Sequence, residues 1–193
     1  RFGECYTRHM APETLTPVTV EAFWHISHDL PRSELVAGQV IELVPPGVRH
    51  GRLALTLGRR LEEHVADLTL GIVVVEAGFI LSGEPATVRG PDIAVILAPR
   101  VPSPLPARFF PGPPDLAVEI LSPVDRPGEV AATVADYLRA GTQAIWVADP
   151  EGQTITVHTR DGATRYGAHE SLDGAPVLPA FRMIVGVLLA EAL

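Results

Sequence analysis

Asp92 and Glu119 are the residues whose placement in the chain most demands an explanation. Each lies in or beside an otherwise apolar run, Pro91-Asp92-Ile93-Ala94-Val95-Ile96-Leu97 and Asp115-Leu116-Ala117-Val118-Glu119-Ile120-Leu121. Withdrawing a carboxylate from water into such surroundings is costly unless a cation or hydrogen-bond donors accompany it. If both runs are strands, side chains alternate between faces, so Asp115, Ala117, Glu119 and Leu121 share one side. Glu119 can then meet Asp92 across an adjacent strand. Two hard oxygen ligands converging in this way suit Mg²⁺ or Mn²⁺. The competing arrangement leaves one or both acids at strand ends, solvated or capping a loop, and the spacing alone does not choose between the two.

The elements that must position these acids are legible in outline. Thr14 to Trp24 offers a Thr cap and a short amphipathic helix ending near His28. Glu34 to Leu43 contains two alternating apolar runs hinged at Gly38, which predicts a hairpin. After Pro45-Pro46-Gly47, apolar residues recur at Leu53, Leu57, Leu61, Val65 and Leu68, the clearest helical spacing in the chain. Ile72 to Leu81 is expected as one strand. The runs around Asp92 and Glu119 are of buried-strand type, each preceded by Pro. Glu129 to Ala140 carries a helical pattern closed by Gly141, and Ala144 to Asp149 reads as a further buried strand before Pro150. Strand, helix and strand in that order predict a parallel pair with a right-handed crossover. Thr154 to His158 and Arg165 to Ala168 suggest a hairpin before a C-terminal element. The class is α/β, expected as a single domain over 1–193.

Composition bounds the chemistry further. With 47% hydrophobic and 20% charged residues the chain has a globular balance. Its single cysteine, Cys5, cannot form an internal disulfide, and no basic, apolar and small-residue layout of a secretion signal is seen, so a cytoplasmic location is the default expectation. No apolar run reaches the roughly 18 residues needed to span a bilayer, and no membrane role is expected. The net charge of −8 repels nucleic acid overall, so any DNA contact needs a local basic surface or bound cations. All 15 basic residues are Arg. A mechanism that requires a lysine is therefore ruled out.

Taken in order, Glu34-Leu35-Val36-Ala37-Gly38, Arg49-His50-Gly51, Pro91-Asp92-Ile93-Ala94-Val95, Asp115 to Pro123, Tyr137, Gly141 and Ile145 to Pro150 resemble the Uma-type family. That family is described as restriction-endonuclease-like and was formerly a domain of unknown function; the resemblance covers nearly the whole chain. It implies a PD-(D/E)XK core with a mixed central sheet flanked by helices. In such a core Asp92 and Glu119 are the metal-binding and catalytic carboxylates, with Glu34 as an accessory catalytic acid. His50 corresponds to a histidine at the start of the long helix. One or two Mg²⁺ or Mn²⁺ ions would orient a phosphodiester of DNA and activate a water. A homodimer is expected by analogy with nucleases of this scaffold.

The departure from the pattern is the lysine that normally completes the site. Leu121 stands two residues after Glu119, and Thr133 occupies the alternative position on the following helix. Arg126 is near in sequence and is the candidate to engage phosphate together with His50, although a guanidinium does not replace an ammonium conservatively. Asp115 is expected at the mouth of the site, and Trp146 and Tyr137 in the core. Arg49, Arg52, Arg59 and Arg60 would form either a DNA-facing strip or, with Glu62 and Glu63, a mixed solvated face. Two functions follow: a metal-dependent endonuclease, or a catalytically inactive binding or assembly protein on the same scaffold.

Overall fold

A computed structural model describes residues 16–190. The chain opens with α1 (Val20–Ser27), whose cap is Thr19: its side chain accepts the Ala22 N–H. The hairpin of β1 (Ser33–Val36) and β2 (Gln39–Glu42) turns at Ala37-Gly38, both in the left-handed region. The long helix is α2 (Val48–Asp67), and Leu53, Leu57, Leu61 and Val65 form its buried face, as their spacing predicts.

The apolar stretch expected as one strand from Ile72 to Leu81 is in fact two. β3 (Gly71–Val75) and β4 (Phe79–Gly83) are separated at Glu76-Ala77-Gly78, where Glu76 adopts φ 51°. The break redirects the chain between sheets. β3 pairs with β6 (Ile93–Leu97), whereas β4 pairs with β5 (Ala86–Arg89) and, in parallel, with β7 (Phe110–Pro111). A continuous apolar run does not reveal such a break, because both halves are apolar in sequence.

β8 (Leu116–Ile120), α3 (Pro127–Ala140) and β9 (Ala144–Asp149) form the predicted strand-helix-strand unit, with β8 and β9 parallel. Gly141, at φ 111°, ends α3. β10 (Thr154–Thr159) and β11 (Gly162–Gly167) make the expected hairpin, and β12 (Ser171–Asp173), β13 (Arg182–Ile184) and α4 (Val185–Ala190) complete the described chain. The larger sheet has the order β11-β10-β9-β8-β6-β3, and the second β2-β1-β5-β4-β7.

Alternation on β8 divides the core. Leu116, Val118 and Ile120 face α2 together with Trp146 and Ile155, whereas Ala117 lies with Ile145, Val147 and the α3 residues Val134 and Tyr137. Ala94 and Ile96 of β6 meet Phe79 and Phe110 of the second sheet. The segment Gly90-Pro91-Asp92 is the crossing from one sheet to the other.

Candidate active site

The antiparallel register of β6 and β8 sets Ile93 against Val118. One step further along the same register places Asp92 opposite Glu119, and directly opposed residues project to the same face. That face is the one carrying Ala117 and Tyr137. The two acids singled out by sequence are thus brought together as the strand pattern requires.

Asp92 is 5% exposed and held from three directions. Its Oδ2 accepts the Ile120 N–H at 2.8 Å, its Oδ1 lies 3.0 Å from His50 Nε2, and Arg32 reaches the same oxygen at 3.4 Å. His50 sits in the first turn of α2, at the place expected, and its buried Nδ1 has no protein partner among the described residues. Glu119 is only partly buried and has no ion pair among the described residues. Burial, then the charges of Asp92 and Glu34, push its carboxyl well above the ordinary carboxylate range; Tyr137 and Arg89 oppose this. The Tyr137 hydroxyl is buried beside it, without a hydrogen bond of regular geometry. Burial and the neighbouring charge of Glu119 push that phenol well above its usual value.

Glu34 reaches the cluster from β1, as the sequence reading placed it, but both its oxygens are engaged. Oε2 accepts from Arg89 Nη1 at 2.7 Å and Oε1 accepts the Gly90 N–H at 2.8 Å. Arg89 also donates to Asp136 Oδ2 of α3, from Nη2 at 2.6 Å and Nε at 3.2 Å. Burial works against the Arg89 charge, and Glu34 and Asp136 more than offset it. Sequence reasoning missed Arg89 and Asp136. The available signal was a lone Arg ending the otherwise buried strand Ala86-Thr87-Val88-Arg89, which requires counter-ions.

Arg126, expected to engage phosphate, is the N-cap residue of α3 with its side chain 82% exposed and Glu129 3.9 Å away. Arg89 and Arg32, and not Arg126, are the arginines that contact the acids. Asp115 is a correction: it lies at the opposite end of β8 from Glu119, accepting from Leu97 N and Gln143 Nε2 and pairing with Arg100 at 3.1 Å. Three residues, Leu116 to Val118, stand between the two carboxylates along the strand, so sharing a face does not bring them together. Along α2, Arg59 and Arg60 pair with Glu63, which makes that edge a mixed solvated face.

No group of three or more His, Cys, Asp or Glu among the described residues is arranged to hold a metal ion by itself. The donors present fit a sparser site. Mg²⁺ is commonly held by one or two carboxylates, with water and substrate oxygens completing the shell. Asp92 Oδ2 accepts only the Ile120 N–H and keeps a lone pair for a ligand, and a cation there would relieve the repulsion that Glu119 experiences from Asp92 and Glu34. The residues are therefore compatible with a divalent ion on Asp92 and Glu119.

Comparison with known proteins agrees with this scaffold. The crystal structure of a protein from Anabaena variabilis, described as "a putative nuclease belonging to DUF820", superposes with a TM-score of 0.79 at 22% identity. The match covers 92% of this chain and all of that one, and it shows the restriction-endonuclease-like fold. No curated protein matches. No helix among the described residues is long and apolar enough to cross a membrane. Residues 20–190 match the Uma2 family, described as "Putative restriction endonuclease", and this span of nearly the whole chain, which supports a nuclease-like function, means that the protein belongs to that family.

Proposed function

We propose that the protein is a divalent-metal-dependent endonuclease that hydrolyses phosphodiester bonds of DNA, working as a homodimer. One observation carries this reading: Glu119 lies opposite Asp92 on the β6/β8 pair without an ion pair, and burial and the charges of Asp92 and Glu34 raise its carboxyl pKa. Asp92 and Glu119 would hold Mg²⁺ or Mn²⁺. When bound, such an ion stabilises charge on a phosphate and lowers the pKa of a water. The Ile120 N–H, His50 and Arg32 keep Asp92 in one orientation, so its ligating Oδ2 is preorganised. His50 would engage the phosphate beside Asp92 through its Nδ1, unpartnered among the described residues, and exposed Arg126 would supply charge for the DNA backbone.

The second reading, an inactive binding or assembly protein, draws support from the sequence itself. Leu121 and Thr133 leave no ammonium at either lysine position, and the buried arginine of the cluster is occupied by Glu34 and Asp136. Calorimetric titration of Mg²⁺ and Mn²⁺, with plasmid cleavage on the same samples, separates the two. The expected result is saturable binding and cleavage in the unmodified protein, both lost in Asp92→Ala and Glu119→Ala. Binding without cleavage in any form selects the inactive scaffold, and absence of binding rejects the metal site. Sedimentation velocity is expected to show a two-chain species.

A further inference from the structure

The acid cluster contains a cation of its own. Arg89 is 8% exposed and lies between Glu34 of β1 and Asp136 of α3, joining the second sheet to the helix that covers the first. Its contacts to the two acids, at 2.7 and 2.6 Å, are the short distances of charge-assisted hydrogen bonds. Glu34 is saturated in another sense as well. One oxygen takes the guanidinium and the other takes the Gly90 N–H, two residues before Asp92. An ion on Glu34 would face the buried Arg89 guanidinium 2.7 Å away, whose like charge repels it, and releasing that guanidinium would leave a buried charge without its partner. Glu119 differs in every respect: it has no ion pair, and beside it stands the buried Tyr137 hydroxyl, which has no regular hydrogen-bond partner.

We infer that Glu34 is not a metal ligand but, with Asp136, a positioning residue for Arg89, so that the site takes a single divalent cation on Asp92 and Glu119. This inference rests on the metal-site reading above and deepens it. Arg89 already supplies the positive charge that Glu34 and Asp136 face, and Glu34 braces Gly90-Pro91-Asp92 from the second sheet through its Gly90 contact. The resulting site is a mononuclear one with a built-in guanidinium, in place of an acid pair flanked by lysine.

The test uses Mn²⁺ as the probe on the whole protein. Electron paramagnetic resonance and calorimetry should give one Mn²⁺ per chain, with no exchange-coupled dinuclear signal. Glu34→Gln removes the charge and, with one acceptor oxygen facing two donors, keeps only one of the hydrogen bonds from Arg89 and Gly90. It should lower the Tm with and without Mn²⁺ while keeping the Mn²⁺-induced increment, with affinity weakened by less than about tenfold. Asp92→Asn and Glu119→Gln should lose that increment. Should Glu34→Gln fold poorly, Asp136→Asn is expected to keep the same stoichiometry, and the spectrum of the unmodified protein decides independently. Two ions per chain, or loss of the Mn²⁺ increment in Glu34→Gln, overturns the single-ion inference and leaves the metal reading intact. No ion in the unmodified protein overturns the metal reading and this inference together.

Discussion

Glu119 is where residue chemistry has the clearest measurable consequence. Burial, then Asp92 and Glu34, hold its proton more tightly than in the unfolded chain, where the ordinary value is 4.5. Folding therefore takes up a proton as the pH rises through that value, and this carboxyl contributes a decline in stability with increasing pH until it ionises in the folded state. Removing the charge should remove the decline. Glu119→Gln is expected to gain stability relative to the unmodified protein as pH rises above 4.5 in the presence of EDTA, measured as Tm across a pH series. A cation on Glu119 must displace the proton, so metal affinity should rise over the same range. A parallel pH course in the two proteins would mean that folding does not shift the Glu119 carboxyl. At this scale the sequence was informative about Asp92, Glu119 and His50, because a carboxylate in an apolar run and a histidine opening a helix are visible locally. It said nothing of Arg89, whose counter-ions lie 55 and 47 residues away.

At the scale of elements, α2 and the β3/β6 edge set the platform on which the acids stand. Leu57 is fully buried on α2, against the face of the larger sheet that carries Val118 and Ile120. Leu57→Ala should cost about 2–5 kcal/mol through lost burial and the cavity left behind. Urea denaturation should show this as a lower midpoint with an unchanged slope. Gly71 opens β3 where a Cβ would collide with the backbone carbonyl of Ile96. Because backbone cannot swing aside as a side chain can, Gly71→Ala is expected to cost about 2 kcal/mol or more and to loosen β3 from β6. Hydrogen exchange should locate the loss on Ile72 to Val75, and uniform protection there would contradict it. The long helix was plain from its spacing, since one apolar stripe repeating every three or four residues has no other regular solution. The division of β3 from β4 was not, because each half is apolar and only the two different pairing partners distinguish them.

For the whole molecule, net charge decides how DNA can approach. At −8 the average field is repulsive, and the arginines of α2 are partly neutralised by Glu63. Association should therefore depend on a bound cation. Fluorescence anisotropy with a labelled duplex is expected to show weak binding in EDTA and tighter binding with Ca²⁺ in place of Mg²⁺. Affinity should fall with salt at a log-log slope of about −0.9 per phosphate neutralised. Strong binding that ignores EDTA would instead point to an arginine surface, with Arg126 and Arg49 the first to replace.

The sequence by itself determined the α/β class, the two central strands with their acids, the parallel β8-α3-β9 unit and the absence of lysine. These are properties of short-range periodicity and composition, fixed within ten or so residues by alternating faces and helical stripes. Tertiary structure alone decided that Glu34 binds Arg89, that Asp136 completes that pair, that Asp115 serves the far end of β8, and that Arg126 stays in solvent. Such partners come from different sheets and helices. Their meeting depends on register and on the crossing at Gly90-Pro91-Asp92, and no local pattern encodes either.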